Sequence, residues 1–244
     1  FAAILGVKNV NQFPYETFTK NILIAKNLID FCKKQKKCKL INFSSSEVYS
    51  HLIFKRRIKF PTPEELDLTV LHNTIPRDSY GLSKLMIEKM CFFAKINYIN
   101  IRPHNIYGPD MGYSHVIPEL IKKIYKRKKI SIISHNHKRA FCFIDDAINQ
   151  IVKLSLSKNI NNETFNVGNP HEEIDIFNLA KKIRFILKTK TKLEKSKNST
   201  DGSPYKRIPS LKKYTNIFGK IKFTKIDEGL LKTIQWYKND IISS

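Results

Sequence analysis

The sequence predicts an α/β fold, with a parallel sheet buried between helices and a smaller α/β region attached to it. Three observations predict this. Short apolar runs such as Leu40-Ile41-Asn42-Phe43 and Tyr98-Ile99-Asn100-Ile101-Arg102 have the length and character of buried strands. They alternate with segments of helical periodicity, the order that a parallel sheet with crossover helices requires. Residues capable of chemistry follow directly on the runs, where ligands of open α/β sheets bind.

Residues 1–6 read as a buried strand already under way, and 7–15 as a loop, with Pro14 opening the next helix. From 17 to 36, Phe18, Ile22, Ala25, Leu28, Ile29 and Cys32 recur at helical spacing, and a lysine cluster closes the helix where cations suit its dipole. The strand 40–43 delivers Ser44-Ser45-Ser46-Glu47-Val48-Tyr49 at its carboxyl end. Residues 51–75 are basic, then proline-containing, which predicts an irregular connection over the mouth of the sheet. A helix over 80–94 has Leu82, Leu85, Met86, Met90 and Phe93 as its apolar face. The strand 98–102 follows, then a turn at Gly108-Pro109, an amphipathic helix over 119–126 and a strand over 130–133. Asp145 and Asp146 are expected to cap a helix over 147–156. Thr164-Phe165-Asn166-Val167 is a strand, and 174–187 opens into a helix with Leu179, Ile183 and Ile186 inward. Residues 188–201 are polar and expected to be mobile. Phe218-Gly219 turns into a last helix packed through Ile226, Leu230, Ile234 and Trp236.

Tyr80 and Lys84, in Arg77-Asp78-Ser79-Tyr80-Gly81-Leu82-Ser83-Lys84, lie one turn apart on one helix face. An ammonium close to a phenol favours the phenolate, so a tyrosine that titrates near pH ~10 can approach neutrality and act as a general base. A serine hydroxyl from the other element would orient a substrate hydroxyl against it. Tyr-x-x-x-Lys is a common spacing, and the order of the pieces carries the specificity. A strand ends in serines, a long connection leads to the Tyr–Lys helix, and a second strand ends in Pro103-His104-Asn105-Ile106-Tyr107-Gly108-Pro109. This combination resembles the extended short-chain dehydrogenases, the NAD-dependent epimerase/dehydratase family acting on nucleotide sugars.

The resemblance implies a Rossmann-like sheet, NAD as cofactor and a nucleotide-sugar substrate. It divides the chain into an NAD-binding domain over 1–110, to which 139–168 returns, and a substrate-binding region over 111–138 and 169–244. It implies Tyr80 as base, Ser45 as the hydroxyl sharing its proton, Lys84 as holder of the nicotinamide ribose, and Glu47 as a catalytic carboxylate. Ala2, Ala3, Asn21, Ser44 and Pro103 would join Tyr80 and Lys84 around the cofactor. Ser46, Asn105, Val116, Arg139 and Arg207 would meet the substrate, the two arginines at its diphosphate. His104 matches a position that packs beside the nicotinamide. The family's dehydratases carry Asp-Glu where this chain has Ser46-Glu47, which disfavours 4,6-dehydration. Ser-Glu resembles the decarboxylases acting on a glucuronate, and epimerases carry it too, so both outcomes of a 4-keto sugar intermediate stay open. The family's Gly-rich phosphate loop is not found in the 244 residues, and the opening resembles its fourth strand. The expectation is therefore an amino-terminally incomplete chain, with an inactive fragment or binding module as the alternative from another class. A homodimer through the helix pair that includes the Tyr80 helix is also implied.

At 41% hydrophobic and 27% charged residues the composition is that of a globular protein. A formal charge of +23 raises nucleic-acid binding, but Arg accounts for only eight of the 44 basic residues and the lysines are scattered. A solvated surface with no specific nucleic-acid partner is expected. Cys32, Cys38, Cys91 and Cys142 show no C-x-x-C spacing and read as reduced packing thiols of a cytoplasmic protein. No stretch approaches a membrane span. His135 and His137 have no cysteine or carboxylate cluster beside them, so a solvated turn is expected there rather than a metal site.

Overall fold

The structure, a computed structural model, describes residues 3–35, 37–200 and 202–242. Its elements are α1 (Val7–Gln12), α2 (Pro14–Lys34), β1 (Lys39–Phe43), a 3-10 turn (Ser46–Tyr49) running into α3 (Ser50–Phe54), α4 (Asp78–Phe93), β2 (Asn97–Pro103) and β3 (Ile106–Tyr107). There follow α5 (Val116–Lys126), β4 (Lys129–Ile132), β5 (Lys138–Ala140), β6 (Cys142–Phe143), α6 (Ile144–Leu156), β7 (Glu163–Val167), β8 (Glu173–Asp175) and α7 (Ile176–Leu187). Last come β9 (Lys192–Lys195), β10 (Lys206–Arg207), α8 (Lys212–Phe218) and α9 (Ile226–Ile242).

The central sheet is parallel, in the order β1-β2-β7, with Ile41 beside Ile99 and Ile101 beside Phe165. The middle strand β2 is buried from Tyr98 to Arg102, which explains its near-continuous apolar run. Alternate residues face opposite layers. Ile99, Ile101, Phe165 and Val167 pack with Ala147 and Leu154 of α6 and with Tyr214 of α8. Tyr98 packs with Ala25, Ile29 and Cys32 of α2 and with Ile87 and Cys91 of α4. A second core gathers Ile117, Ile121 and Ile124 of α5, Leu179 and Ile183 of α7, and Leu230 and Ile234 of α9 around Tyr107. Smaller sheets (β10-β5-β8, β3-β6 and β4-β9) bring β5 and β10 to the edge of the crevice between the two cores.

Several elements depart from the sequence expectation. Residues 3–5 form no strand, Leu5 is exposed, and the expected loop after them contains α1. Gly6 explains the change, because its φ of 93° turns the chain out of an extended path just before Val7. The polar stretch 188–201 contains β9, which pairs with β4 from Lys129 beside Lys192 to Ile132 beside Lys195. Asp146 does not cap its own helix; its carboxylate accepts from Thr224 N at 2.9 Å and Thr224 Oγ1 at 3.1 Å. Phe93 and Trp236 are exposed, and Cys91 and Tyr237 take their places in the packing.

Candidate active site

The carboxyl end of β1 passes directly into the 3-10 turn, and Ser45 is the residue that makes the turn possible. Its backbone is extended, and its Oγ accepts the Glu47 N–H at 3.1 Å, satisfying one of the turn's free donors. The same hydroxyl lies close enough to Tyr80 to favour its phenolate. Tyr80 reaches it because α4 lies almost in contact with the turn. A Cβ on Gly81 would sit 3.0 Å from the Glu47 carbonyl oxygen, so glycine is the residue that permits this approach. The start of α4 is tied down separately. Asp78 accepts the Ile75 N–H at 2.8 Å and pairs with His51 Nε2 at 2.9 Å.

Lys84 is buried one turn further along, its Nζ donating to the Phe43 carbonyl at 2.8 Å and lying 5.7 Å from the Tyr80 ring centroid. Burial brings its pKa down to about 8. The expectation that this ammonium makes the phenol acidic needs correction. Burial pushes Tyr80 up, the Ser45 hydroxyl pulls it down, the negative charge of Glu47 pushes it up again, and the net direction is upward. The ammonium points at the Phe43 carbonyl instead of the phenol oxygen.

Around this pair, the residues expected at the cofactor occupy two layers. Ser44 is buried, and its Oγ has no hydrogen-bond partner among the described residues. Asn21 clamps the segment after Ala3 against α4. Its Oδ1 accepts from Ile4 N at 2.7 Å, while its Nδ2 donates to Ile4 O at 3.1 Å and to Ser83 Oγ at 3.3 Å. Ser83 Oγ in turn donates to the Tyr80 carbonyl at 2.8 Å. Ala3 is half-buried beside this clamp, and Ala2 lies outside the described residues. His104 is fully buried behind the site, with Nε2 3.0 Å from Asn166 Oδ1, and burial holds its pKa down near 3. It is a neutral, buried histidine.

A cavity of about 590 Å³ opens in front of Tyr80. Ser45, Ser46, Glu47, Pro103, Asn105 and Val116 line it together with Arg139 and Arg207, so the structure brings every expected substrate residue to one space. Asn105, at a φ of 44°, spends its amide on the Ala140 carbonyl at 3.1 Å. Arg139 is held by the carbonyls of Lys138 and Pro204 and by Ser203 Oγ. Arg77 also lines the cavity, and the sequence reading assigned it no role. Its Nη2 donates to Glu47 Oε1 at 3.2 Å, while Glu47 Oε2 accepts from Arg207 Nη2 and from Ser50 Oγ at 2.7 Å. Burial works against the Glu47 charge, but Arg207 and Arg77 prevail and bring its pKa down to about 2. As arranged, Glu47 is a fixed anion, so the expected catalytic carboxylate carries no proton in the ligand-free site. Arg102 proves structural. It grips Glu88 with two bonds of 2.9 and 2.7 Å and donates to Tyr49 Oη at 2.6 Å.

Comparison with known proteins gives this geometry its context. The chain is 26% identical over its whole length to the probable GDP-L-fucose synthase 1 of Oryza sativa subsp. japonica, of which it spans 76%. It is 25% identical, over 93% of its length, to UDP-glucuronic acid decarboxylase 1 of Danio rerio, of which it spans 54%. Its fold superposes with a TM-score of 0.84 on the UDP-glucose 4-epimerase of Thermotoga maritima, at 22% identity, covering 99% of this chain and 76% of that one. The model of the NAD dependent epimerase/dehydratase family matches residues 1–168, which hold the β1 serines, the Tyr80–Lys84 helix, Asn105 and Arg139. The chain belongs to the NAD-dependent epimerase/dehydratase family.

Proposed function

We propose that this chain carries the catalytic and substrate-binding machinery of a nucleotide-sugar enzyme that works through a 4-keto sugar intermediate, with epimerisation as its outcome and decarboxylation of a uronate as the alternative. The observation that carries this reading is the single cavity of about 590 Å³, in which the neighbouring Tyr80 and Ser45 share a wall with Arg77, Arg139 and Arg207. Hydroxyls suited to a sugar and guanidinium forks suited to a diphosphate are the two halves of such a ligand.

The residues fit the nicotinamide-ribose end of NAD. Ser44 offers a buried hydroxyl without a partner among the described residues, Lys84 a buried ammonium, and Pro103 the end of β2 against the cavity. When bound, NAD would supply the hydride acceptor for C4. Tyr80, in its phenolate form, would take the proton of the sugar 4-hydroxyl, which the neighbouring Ser45 hydroxyl would orient. Arg139 and Arg207 hold the diphosphate, Asn105 meets it at the strand end, and Ser46 and Val116 contact the sugar. A ketone at C4 acidifies the neighbouring C–H bonds and makes a C5 carboxylate a β-keto acid. One set of residues can therefore serve either outcome. Residues 111–138 and 169–244 form the substrate region of this reading. Exposed Leu23, Leu28 and Phe31 on α2, with Phe92 and Phe93 on α4, support a homodimer through that helix pair. The four cysteines are free thiols, which supports a cytoplasmic setting. No described helix is long and apolar enough to cross a membrane.

The test is incubation with NAD and a panel of nucleotide sugars, read as product masses. An unchanged mass with a new retention time identifies an epimerase, and loss of carbon dioxide a decarboxylase. Loss of water would contradict the reading of Ser46-Glu47. Tyr80→Phe should lower turnover by about 10³-fold, within the range for a general acid–base group. No turnover by either chain would leave a binding module.

A further inference from the structure

Glu47 engages two of the three guanidinium groups in the cavity, Arg77 through Oε1 and Arg207 through Oε2. Ser50 Oγ shares Oε2 with Arg207. Arg139, held by two carbonyls and a hydroxyl, has no such counter-charge in its hydrogen bonds. The forks of Arg77 and Arg207 are incompletely used, because the Nε–H of each is buried without a partner among the described residues. A diphosphate brings two charges and several acceptor oxygens, which satisfies such a fork better than one carboxylate oxygen already shared with a serine.

We propose, on the nucleotide-sugar reading above, that Arg207 changes partner on ligand binding. It holds Glu47 in the empty site and the diphosphate in the filled one, so that the ligand arms Glu47 with a proton from solvent. Burial opposes the Glu47 charge, and Arg207 is the foremost of the groups that overcome it. Once that guanidinium is given to a dianion, burial is opposed only by Arg77, Ser50 and the more distant Arg139, and the dianion adds repulsion of its own. Of the other ionisable groups nearby, Tyr80 is neutral, and His51 and Asp78, beyond Ser50, pair with each other at 2.9 Å. The proton would arrive near the reacting groups, since Glu47, Ser45 and Tyr80 line one cavity and the Glu47 charge acts on the Tyr80 phenol. Glu47 would thus be idle until a substrate is docked.

Calorimetric titration with UDP-glucose, without NAD, in buffers of differing protonation enthalpy tests this. The diphosphate of that ligand is a diester and stays doubly ionised, so any proton counted belongs to the protein. Net proton uptake is expected on binding at about pH 5 and should fade by about pH 8. Glu47→Gln should abolish the uptake and bind the ligand roughly threefold tighter or better, because Arg207 is no longer sequestered. Arg207→Gln should abolish the uptake and bind at least about tenfold more weakly. Binding without uptake, or uptake that persists in Glu47→Gln, overturns the exchange of partners and leaves the nucleotide-sugar reading standing. A wild-type chain that binds no UDP-glucose or other nucleotide sugar overturns that reading and the exchange with it.

Discussion

Lys84 carries a stability penalty that its position near Tyr80 imposes. It is 8% exposed, and burial lowers its pKa from the ordinary lysine value to about 8. In the unfolded chain the same amine titrates near ~10.4. Between those values the unfolded chain binds the extra proton, so folding stability rises with pH across roughly 8 to 10, and below 8 the whole penalty is felt. Lys84→Met keeps the length and removes the charge. It should abolish turnover yet raise stability at pH 7 by about 1 kcal/mol, after allowing for the lost bond to the Phe43 carbonyl. Thermal melts at pH 7 and near pH 10 check this, and the gain should vanish at the higher pH. Glu88 behaves oppositely. It and Arg102 are both buried and doubly bonded, so Glu88→Gln leaves a guanidinium uncompensated and should cost about 3 kcal/mol in denaturant titrations. The sequence offered one neglected sign of such sites. In a chain with eight arginines among 44 basic residues, an arginine is a marked choice. Four of the eight, Arg77, Arg102, Arg139 and Arg207, prove buried or nearly so, while Arg56, Arg57 and Arg127 are exposed.

Elements whose own periodicity fixes their environment were legible before the structure, and those decided by a neighbour were not. β2 is a continuous apolar run because both faces are covered, and the order of strand, serines and Tyr–Lys helix is set by local spacing. β9 was missed because Lys192-Leu193-Glu194-Lys195 reads as a polar loop; only pairing with β4 gives its Leu193 a core to enter. On α9 the expected Trp236 and the observed Tyr237 differ by one position, about 100° around the helix, and Gly229 is where that helix meets its neighbours most closely. A Cβ on Gly229 would come within 2.1 Å of the Tyr107 hydroxyl oxygen and 2.9 Å of the Phe143 ring. Gly229→Ala gains helix propensity of about 1 kcal/mol. The clash forces α9 off the core, and the net expectation is a loss of about 2 kcal/mol. Tyr107→Phe in the same chain removes the nearest clashing atom and should restore part of that loss; additive effects in a melting comparison would refute the contact.

At the scale of the molecule, charge is what the composition stated most plainly and what the fold redistributes. Arg139 and Arg207, which the resemblance placed together at a diphosphate, come from distant parts of the chain, and Arg77, which no motif or period announced, joins them on one cavity. Apart from the buried Lys84, most lysines lie on a scattered solvated surface, and the excess of +23 must repel itself in the compact state. Between about 0.01 M and 0.1 M salt the Debye length falls from about 30 Å to about 10 Å, shorter than the molecule is wide. Screening on that scale relieves repulsion between distant lysines while leaving close buried pairs such as Arg102 with Glu88 nearly untouched. The melting temperature should therefore rise by roughly 3–5 °C over that range, and the rise should flatten beyond it. Polynucleotide binding by the same lysines should fall steeply, because it releases counterions in proportion to the phosphates met. Nucleotide-sugar binding should fall far less, since its two charges meet arginines buried in a cavity. If both ligands lost affinity with the same slope, the arginines would be acting as surface charge, and the cavity would lose its claim to be the site.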